Sequence, residues 1–379
     1  RQLREEVGYE GVICTDWLVT HDEVHPGIHS GKPWGVENLS VAERHYKALM
    51  AGVDQFGGNN EIEPVLQAYQ MGVEEHGEEW MRRRFEESAY RLLLNMFRVG
   101  LFENPYIDVN EAERVVGSPE FMAKGYAQQL RSIVLLKNKG NVLPLEKGSR
   151  LYIPERRIPE GPNYWRQILD ERVYDPVPPQ VVERDFVVAA CPDDADAAVV
   201  FIESPHSYLM GYDNGYIPIS LQYEDYTAAD AREHSIAGER SYRGKSARTI
   251  NKCDMELVHK VRREMGKRPV IVVINMLNPM VMKEIEPYAD ALVVGFDVQA
   301  QAIMDIISGR EEPSGLLPFQ LPKDMSAVEL HCEDKPHDMA CHCDTEGNMY
   351  DFAFGLDWSG KIYDERVARW GSVYISENF

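Results

Sequence analysis

Hydrophobic and polar positions follow two rhythms along the chain. Residues 11–16, Gly-Val-Ile-Cys-Thr-Asp, form a short apolar run entered through Gly8 and Gly11, which predicts a buried parallel strand. A polar loop rich in Gly and Pro follows over 26–35. Ser40-Val41-Ala42-Glu43 has capping-box spacing and starts a helix expected to reach Met50. Gly52 stops it, Val53-Asp54-Gln55-Phe56 reads as a second short strand, and Gly57-Gly58 ends that strand. Helices are expected over Ile62–Met71 and Glu75–Arg98, the longer one with apolar residues at 85, 89, 92, 93, 96 and 97. Residues 1–72 therefore read as two βα units.

Residues 100–120 hold Gly100, Pro105 and a charged run with no sustained period, and read as a connector. A helix is expected over 118–137, with Ser118-Pro119-Glu120 as its cap, leading into Leu143-Pro144-Leu145. Beyond it the pattern predicts strands at 150–153, 197–203, 269–275 and 290–295, and helices near 254–266 and 299–308. That alternation is the signature of an α/β domain with a mostly parallel sheet. The expected organisation is a first part over 1–99, a linker and leading helix over 100–146, and an α/β domain over 147–379. Two βα units cannot close a sheet. A (β/α)8 barrel takes eight of them in about 250 residues, so the first part would supply about a quarter of one.

Charge narrows the function classes. The 40 basic and 62 acidic residues leave a net charge of −22. A binder of the nucleic-acid backbone needs a basic surface, so that class is excluded, and docking on anionic lipid is disfavoured. No apolar run reaches the ~18 residues that a membrane span needs, which points to a soluble chain. The six cysteines, at 14, 191, 253, 332, 341 and 343, do not form a disulfide framework in a chain of this size and read as free thiols. Arg1-Gln2-Leu3-Arg4-Glu5-Glu6 has no initiator Met and no leader and reads as the tail of a helix, so the chain is expected to begin inside a larger unit, and its compartment stays unassigned.

Several segments, in this order, resemble the C-terminal portion of a family 3 glycoside hydrolase. They are Gly8–Trp17, Ala51–Asp54, Arg98–Tyr106, Arg131–Asn138, Ile307–Arg310 leading to Pro313–Pro318, and Phe352–Leu356. The resemblance implies the last two βα units of a (β/α)8 TIM barrel followed by an α/β sandwich domain. It also implies that Asp16, the Asp of the Thr15-Asp16-Trp17 motif at the end of barrel strand seven, is a catalytic nucleophile. From the strand-end pattern alone, Asp16 either faces an active-site mouth, as an Asp at the C-terminal end of a barrel strand does, or anchors a buried loop.

A retaining glycosidase needs a second carboxyl group about 5–5.5 Å from the first to protonate the leaving oxygen. The resemblance places it as a Glu on a variable loop after the strand Ala198–Glu203. The segment Ser204–Lys252 offers Glu224, Glu233 and Glu239, with Glu203 just before it. Glu239, in Gly238-Glu239-Arg240-Ser241-Tyr242-Arg243, is the first choice and Glu203 the second. Arg240 and Arg243, if close, would lower a carboxyl pKa, and burial would have to offset that.

Trp17 either walls a sugar pocket or belongs to a core. His206, Tyr208, Tyr212, Asp213, Asn214 and Tyr216 either stack on sugars and bond their hydroxyls or pack on their own domain. Cys332, His337, Cys341 and Cys343 could ligate zinc, but a two-residue step between the last cysteines departs from zinc spacing, and the resemblance implies no metal or other cofactor. Gly295-Phe296-Asp297-Val298-Gln299 departs from the family's usual turn there.

The expected activity is exo-acting hydrolysis of terminal β-glucosides, with β-xylosides next, on an oligo- or disaccharide substrate. The residues that hold the sugar lie in the family mostly on barrel strands before the nucleophile, so a second polypeptide supplying barrel strands one to six is expected, and homo-oligomers stay open. The alternatives are a glycoside phosphorylase of the same family, which an acid/base such as His206 would indicate, and a non-catalytic carbohydrate-binding fragment.

Overall fold

A computed structural model describes residues 2–22, 33, 36, 38–162, 168–206, 220–229, 243–332 and 337–370. They fall into two compact units that divide between Gly117 and Ser118.

The first unit is helical: α1 (Val41–Met50), α2 (Ile62–His76), α3 (Glu78–Arg98) and α4 (Val109–Val115). The capping box forms at α1. The Glu43 N–H donates to Ser40 Oγ, and the Ser40 N–H returns a bond to Glu43 Oε2 at 2.7 Å. Helix α2 runs five residues past its expected end because Gly72 does not stop it. That glycine is buried against the Met81 side chain, which a Cβ would strike. The break comes at Gly77, whose φ of 89° only glycine adopts without strain.

The two strands expected at 11–16 and 53–56 do not form. They reduce to one parallel bridge between Cys14 and Gln55. Around it, Asp54 N–H donates to the Ile13 carbonyl at 2.8 Å and Thr15 N–H to the Gln55 carbonyl at 3.0 Å. A parallel pair of this length needs neighbouring strands on its outer edges, and the described residues of this unit bring none.

The second unit is an α/β layer structure built on a mixed sheet. Its helices are α5 (Pro119–Ser132), α6 (Pro179–Val182), α7 (Lys252–Met265), α8 (Ala300–Ile307), α9 (Met325–Leu330) and α10 (Glu365–Trp370). Its early strands are β1 (Val134–Asn138), β2 (Arg150–Tyr152), β3 (Arg156–Ile158), β4 (Gly161–Pro162), β5 (Ile168–Leu169), β6 (Arg172–Tyr174) and β7 (Val187–Val188). The later ones are β8 (Ala197–Glu203), β9 (Tyr226–Thr227), β10 (Ser246–Ala247), β11 (Val270–Asn275), β12 (Ala291–Gly295), β13 (Leu356–Asp357) and β14 (Gly360–Lys361). The main sheet has the order β14-β13-β1-β12-β11-β8-β2-β7.

From β12 to β7 every pair is parallel, whereas β1, β13 and β14 join antiparallel. Four of the seven neighbouring pairs are parallel, in keeping with the mostly parallel sheet read from sequence, and the antiparallel side is the addition. Its cause is local: the helix expected to reach 137 ends at Ser132, and Val134-Leu135-Leu136, buried on both faces, continue as a strand. The sheet thus reaches back into the stretch 100–146 read as linker and leading helix. Strands β8, β11 and β12 are near-continuous Val, Ile, Leu and Ala runs because helices cover both faces of a parallel sheet.

The register sets Glu203, Asn275 and Gly295 side by side at the C-terminal ends of β8, β11 and β12. The chain passes from β2 to β7 on one side and then to β8 on the other, so the order reverses at β2/β8. The carboxyl ends of strands at such a reversal form a crevice suited to binding.

Candidate active site

In the first unit, Asp16 is exposed at the end of the bridged segment. Its Oδ1 accepts the Trp17 N–H at 2.7 Å, and among the described residues its Oδ2 carries no hydrogen bond. A carboxylate with a free, solvent-facing oxygen can act as a nucleophile. The backbone beneath it is fixed by the opposite turn: Gly57 N–H donates to Thr15 Oγ1 at 2.8 Å, and Leu18 N–H to the Gly57 carbonyl at 2.9 Å. A Cβ on Gly57 would lie 2.5 Å from the Thr15 carbonyl oxygen and 3.1 Å from that of Asp16; one on Gly58 would lie 2.5 Å from the Trp17 ring. Only a double glycine lets the two turns approach this closely. Trp17 is 73% exposed and so is not a core residue within this unit.

Asp54 holds the near end of the same segment, a role the sequence reading did not assign. Its carboxylate is fully buried. Oδ2 accepts the Ile13 N–H at 3.0 Å and pairs with Arg4; Oδ1 accepts from Ser88 at 2.7 Å and Arg91 at 3.0 Å. Burial works against its charge, yet the bonds from Ile13, Ser88 and Arg91 and the charge of Arg4 outweigh it and hold the pKa below the usual value. Arg84 adds to the frame by donating to the carbonyls of Leu49 and Val53. The spacing of Arg84, Ser88 and Arg91 on one face of α3 was the signal available in the sequence.

In the second unit, Glu203 ends β8. Its Oε2 lies 2.8 Å from an Arg156 nitrogen and 3.4 Å from His206 Nε2. Arg156, at the base of the β3–β6 hairpin, is buried and also grips Asp254 through two bonds of 3.0 Å. Burial opposes ionisation of Glu203, but hydrogen bonds from His206 and Arg156 overcome it and pull the pKa down to about 2. Glu203 is therefore ionised at neutral pH and has no proton to give. Beside it a cleft of about 170 Å³ is bounded by Arg156, Tyr174, Glu203, Asn275 and Gly295.

The remaining sequence assignments divide by position. Glu239, Tyr208, Tyr212, Asp213, Asn214 and Tyr216 lie outside the described residues, as do Glu233 and Arg240. Glu224 is exposed and pairs with Lys252. Among the described residues no three His, Cys, Asp or Glu are grouped to hold a metal ion, and all six cysteines are free thiols. Burial pushes the Cys341 thiol up to about 12. No described helix is long and apolar enough to cross a membrane.

A family model for the C-terminal domain of glycosyl hydrolase family 3 matches residues 133–358. A periplasmic β-glucosidase/β-xylosidase of Dickeya chrysanthemi is 29% identical over 364 residues, covering 93% of this chain and 47% of that protein. A probable β-glucosidase C of Aspergillus flavus is 31% identical over 362 residues, covering 94% of this chain and 47% of that protein. The chain thus spans about half the length of the curated relatives it matches. Among solved structures, a β-glucosidase of Erythrobacter marinus superposes with a TM-score of 0.58 at 21% identity, over 94% of this chain and 49% of the other. A β-glucosidase of Listeria innocua in complex with gluconolactone gives 0.58 at 19% identity, over 94% and 48%. These two likenesses speak to the fold.

Proposed function

The chain belongs to glycosyl hydrolase family 3, and on that premise we propose that it carries the nucleophile and the proton donor of an exo-acting, retaining β-glycosidase for terminal β-glucosides. The observation that carries the reading is Asp16: an exposed carboxylate with one uncommitted oxygen, its backbone locked on a double-glycine turn. In this reading the segments bridged at Cys14 and Gln55 are the seventh and eighth strands of a TIM barrel. The Asp16 carboxylate attacks the anomeric carbon as the bond to the leaving oxygen breaks, and Glu239 delivers its proton to that oxygen. Water then attacks the glycosyl-Asp16 ester and gives its proton to Glu239, releasing the sugar with its β configuration retained. Glu203, ionised by Arg156 and His206, is set aside as the donor, which favours Glu239 over that second choice.

Trp17 offers an exposed face for stacking, and His206, Tyr208, Tyr212 and Asp213 are assigned to the sugar's hydroxyls. The rest of the pocket is assigned to barrel strands one to six on a further polypeptide segment. Two facts support that assignment: the chain spans about half its relatives, and the first unit exposes Leu93, Met96 and Phe97 on α3 together with Val7. An open groove of about 650 Å³ lined by residues 7–12, Asn95 and Arg98 offers room for an adjoining strand and supports the same assignment.

Proton NMR of the first sugar released, with the complete barrel present, tests the reading. The β anomer is expected first; the α anomer appearing first excludes a covalent Asp16 intermediate. The pairing of His206 with Glu203 favours a second reading, phosphorolysis with His206 transferring the proton. Turnover that depends on added phosphate and yields a sugar phosphate selects it.

A further inference from the structure

Between β8 and α7 the chain leaves the sheet and returns, and the described ends of that excursion are joined by one buried side chain. Asn251 is 4% exposed. Its Nδ2 donates to the carbonyl oxygens of Glu203 (3.3 Å) and Ser204 (3.1 Å) and to Asp254 Oδ2 (3.0 Å), while its Oδ1 accepts the His206 N–H at 3.0 Å. The Ile250 N–H closes the ring by donating to the His206 carbonyl at 2.9 Å. One amide therefore bonds three residues of the outgoing strand end: Glu203 and Ser204 through their carbonyls, and His206 through its N–H.

This clamp is itself anchored. Asp254 accepts the Glu203 N–H at 3.2 Å and both arms of Arg156. Ser204, fully buried, accepts from the Leu277 and Asn278 N–H groups at 3.0 and 3.2 Å, which ties the outgoing end to the end of β11. Farther out, Thr249 Oγ1 donates to the Gln222 carbonyl at 2.7 Å, and β9 and β10 pair antiparallel. A buried amide is costly unless its donors and acceptor are all used. Here all are used, and every one is spent on fixing where the two ends of the excursion stand.

We infer that Asn251 is a positioning residue for proton transfer, fixing residues 203–206 and 250–254, the two ends between which the proposed acid/base lies in the sequence. The inference rests on the reading that the acid/base lies between those two ends, as Glu239 does. A displacement of about 1 Å at a proton donor costs roughly 100-fold in a step that needs the proton. It costs little when the leaving group departs as a stable anion, because general acid catalysis is then not required.

The test compares kcat/KM for an alkyl β-glucoside with that for a dinitrophenyl β-glucoside, using the enzyme with its complete barrel. Asn251→Ala and Asn251→Ser are run beside Glu239→Gln. Asn251→Ala is expected to lose roughly 10- to 100-fold on the alkyl substrate and less than about threefold on the activated one. Asn251→Ser keeps an acceptor for the His206 N–H and is expected to lose less. Equal losses on both substrates, as fewer folded molecules would give, overturn the inference, and so does no loss on either. If Glu239→Gln shows the split and Asn251→Ala does not, the clamp fails alone. If Asn251→Ala shows it and Glu239→Gln does not, the clamp stands and Glu239 is not the donor.

Discussion

Replacing Asp54 by Ala removes the acceptor that holds Ile13, three residues before Asp16. The carboxylate is fully buried and is bonded by Ile13 N–H, Ser88 and Arg91 and paired with Arg4. Breaking a buried ion pair from one side costs about 3–5 kcal/mol, because the opposing charge stays buried without its partner. The lower end applies here: Arg84 keeps its bonds to Leu49, Val53 and Ser88 when Asp54 is lost. Asp54→Asn keeps an uncharged acceptor and is expected to cost about 1–2 kcal/mol.

The assay is hydrogen exchange at the Ile13 amide in the enzyme with its complete barrel, beside the denaturation midpoint. A loss of about 3 kcal/mol speeds exchange through local opening by roughly 100-fold. Acid should act in the same sense. The folded pKa of Asp54 lies below the unfolded value of about 3.9, so its contribution is complete above that pH and is lost as pH falls through the folded pKa. An Ala variant whose Ile13 exchange is unchanged and whose midpoint moves by less than about 0.5 kcal/mol would refute the reasoning.

Gly57→Ala places a Cβ 2.5 Å from the Thr15 carbonyl oxygen, so the Asp16 backbone must shift; turnover is expected to fall by roughly 10-fold or more, measured as the rate of forming the covalent intermediate. Glu203 stabilises the fold above its unfolded pKa of about 4.3, and that stability fades as pH falls toward its folded value of about 2. Glu203→Gln is therefore expected to flatten the stability curve between those values, followed by denaturation, and to leave the alkaline limb of the pH–rate profile in place. Lys137 and Glu286 form a buried pair 2.5 Å apart, so Lys137→Met is expected to cost about 3–5 kcal/mol in denaturant titration. Adding Glu286→Gln should recover much of that loss, since no unpaired charge then remains.

The sequence was most legible where burial is symmetric. Strands β8, β11 and β12 are covered on both faces, and their unbroken aliphatic runs fall within a residue or two of their expected bounds. The same symmetry hid β1: Ile133-Val134-Leu135-Leu136 follows α5 directly, and an apolar run without polar alternation does not distinguish strand from buried helix. The stretch 11–16 has strand chemistry, but a strand is a property of a pair, and the pairing partners it needs are not among the described residues of this unit. Asp16 was legible as a carboxylate ending such a run. Asp54 and Arg156 were not, because a buried charge is defined by its partners, and Arg4, Arg91, Asp254 and Glu203 stand tens of residues away in the chain. Asn251 and Asp254 are three apart at a helix start, a spacing that reads as an ordinary cap; only the folded chain shows Asn251 bonding across to Glu203, Ser204 and His206.

The most direct measurement is to incubate the enzyme, complete barrel included, with an activated 2-deoxy-2-fluoro-β-glucoside and to locate the adduct by peptide mass spectrometry. A stoichiometric fluoroglucosyl ester on Asp16, with turnover arrested, is the expected result. An adduct on another carboxylate, or arrest-free turnover with no adduct at all, would contradict the assignment of Asp16 as the nucleophile.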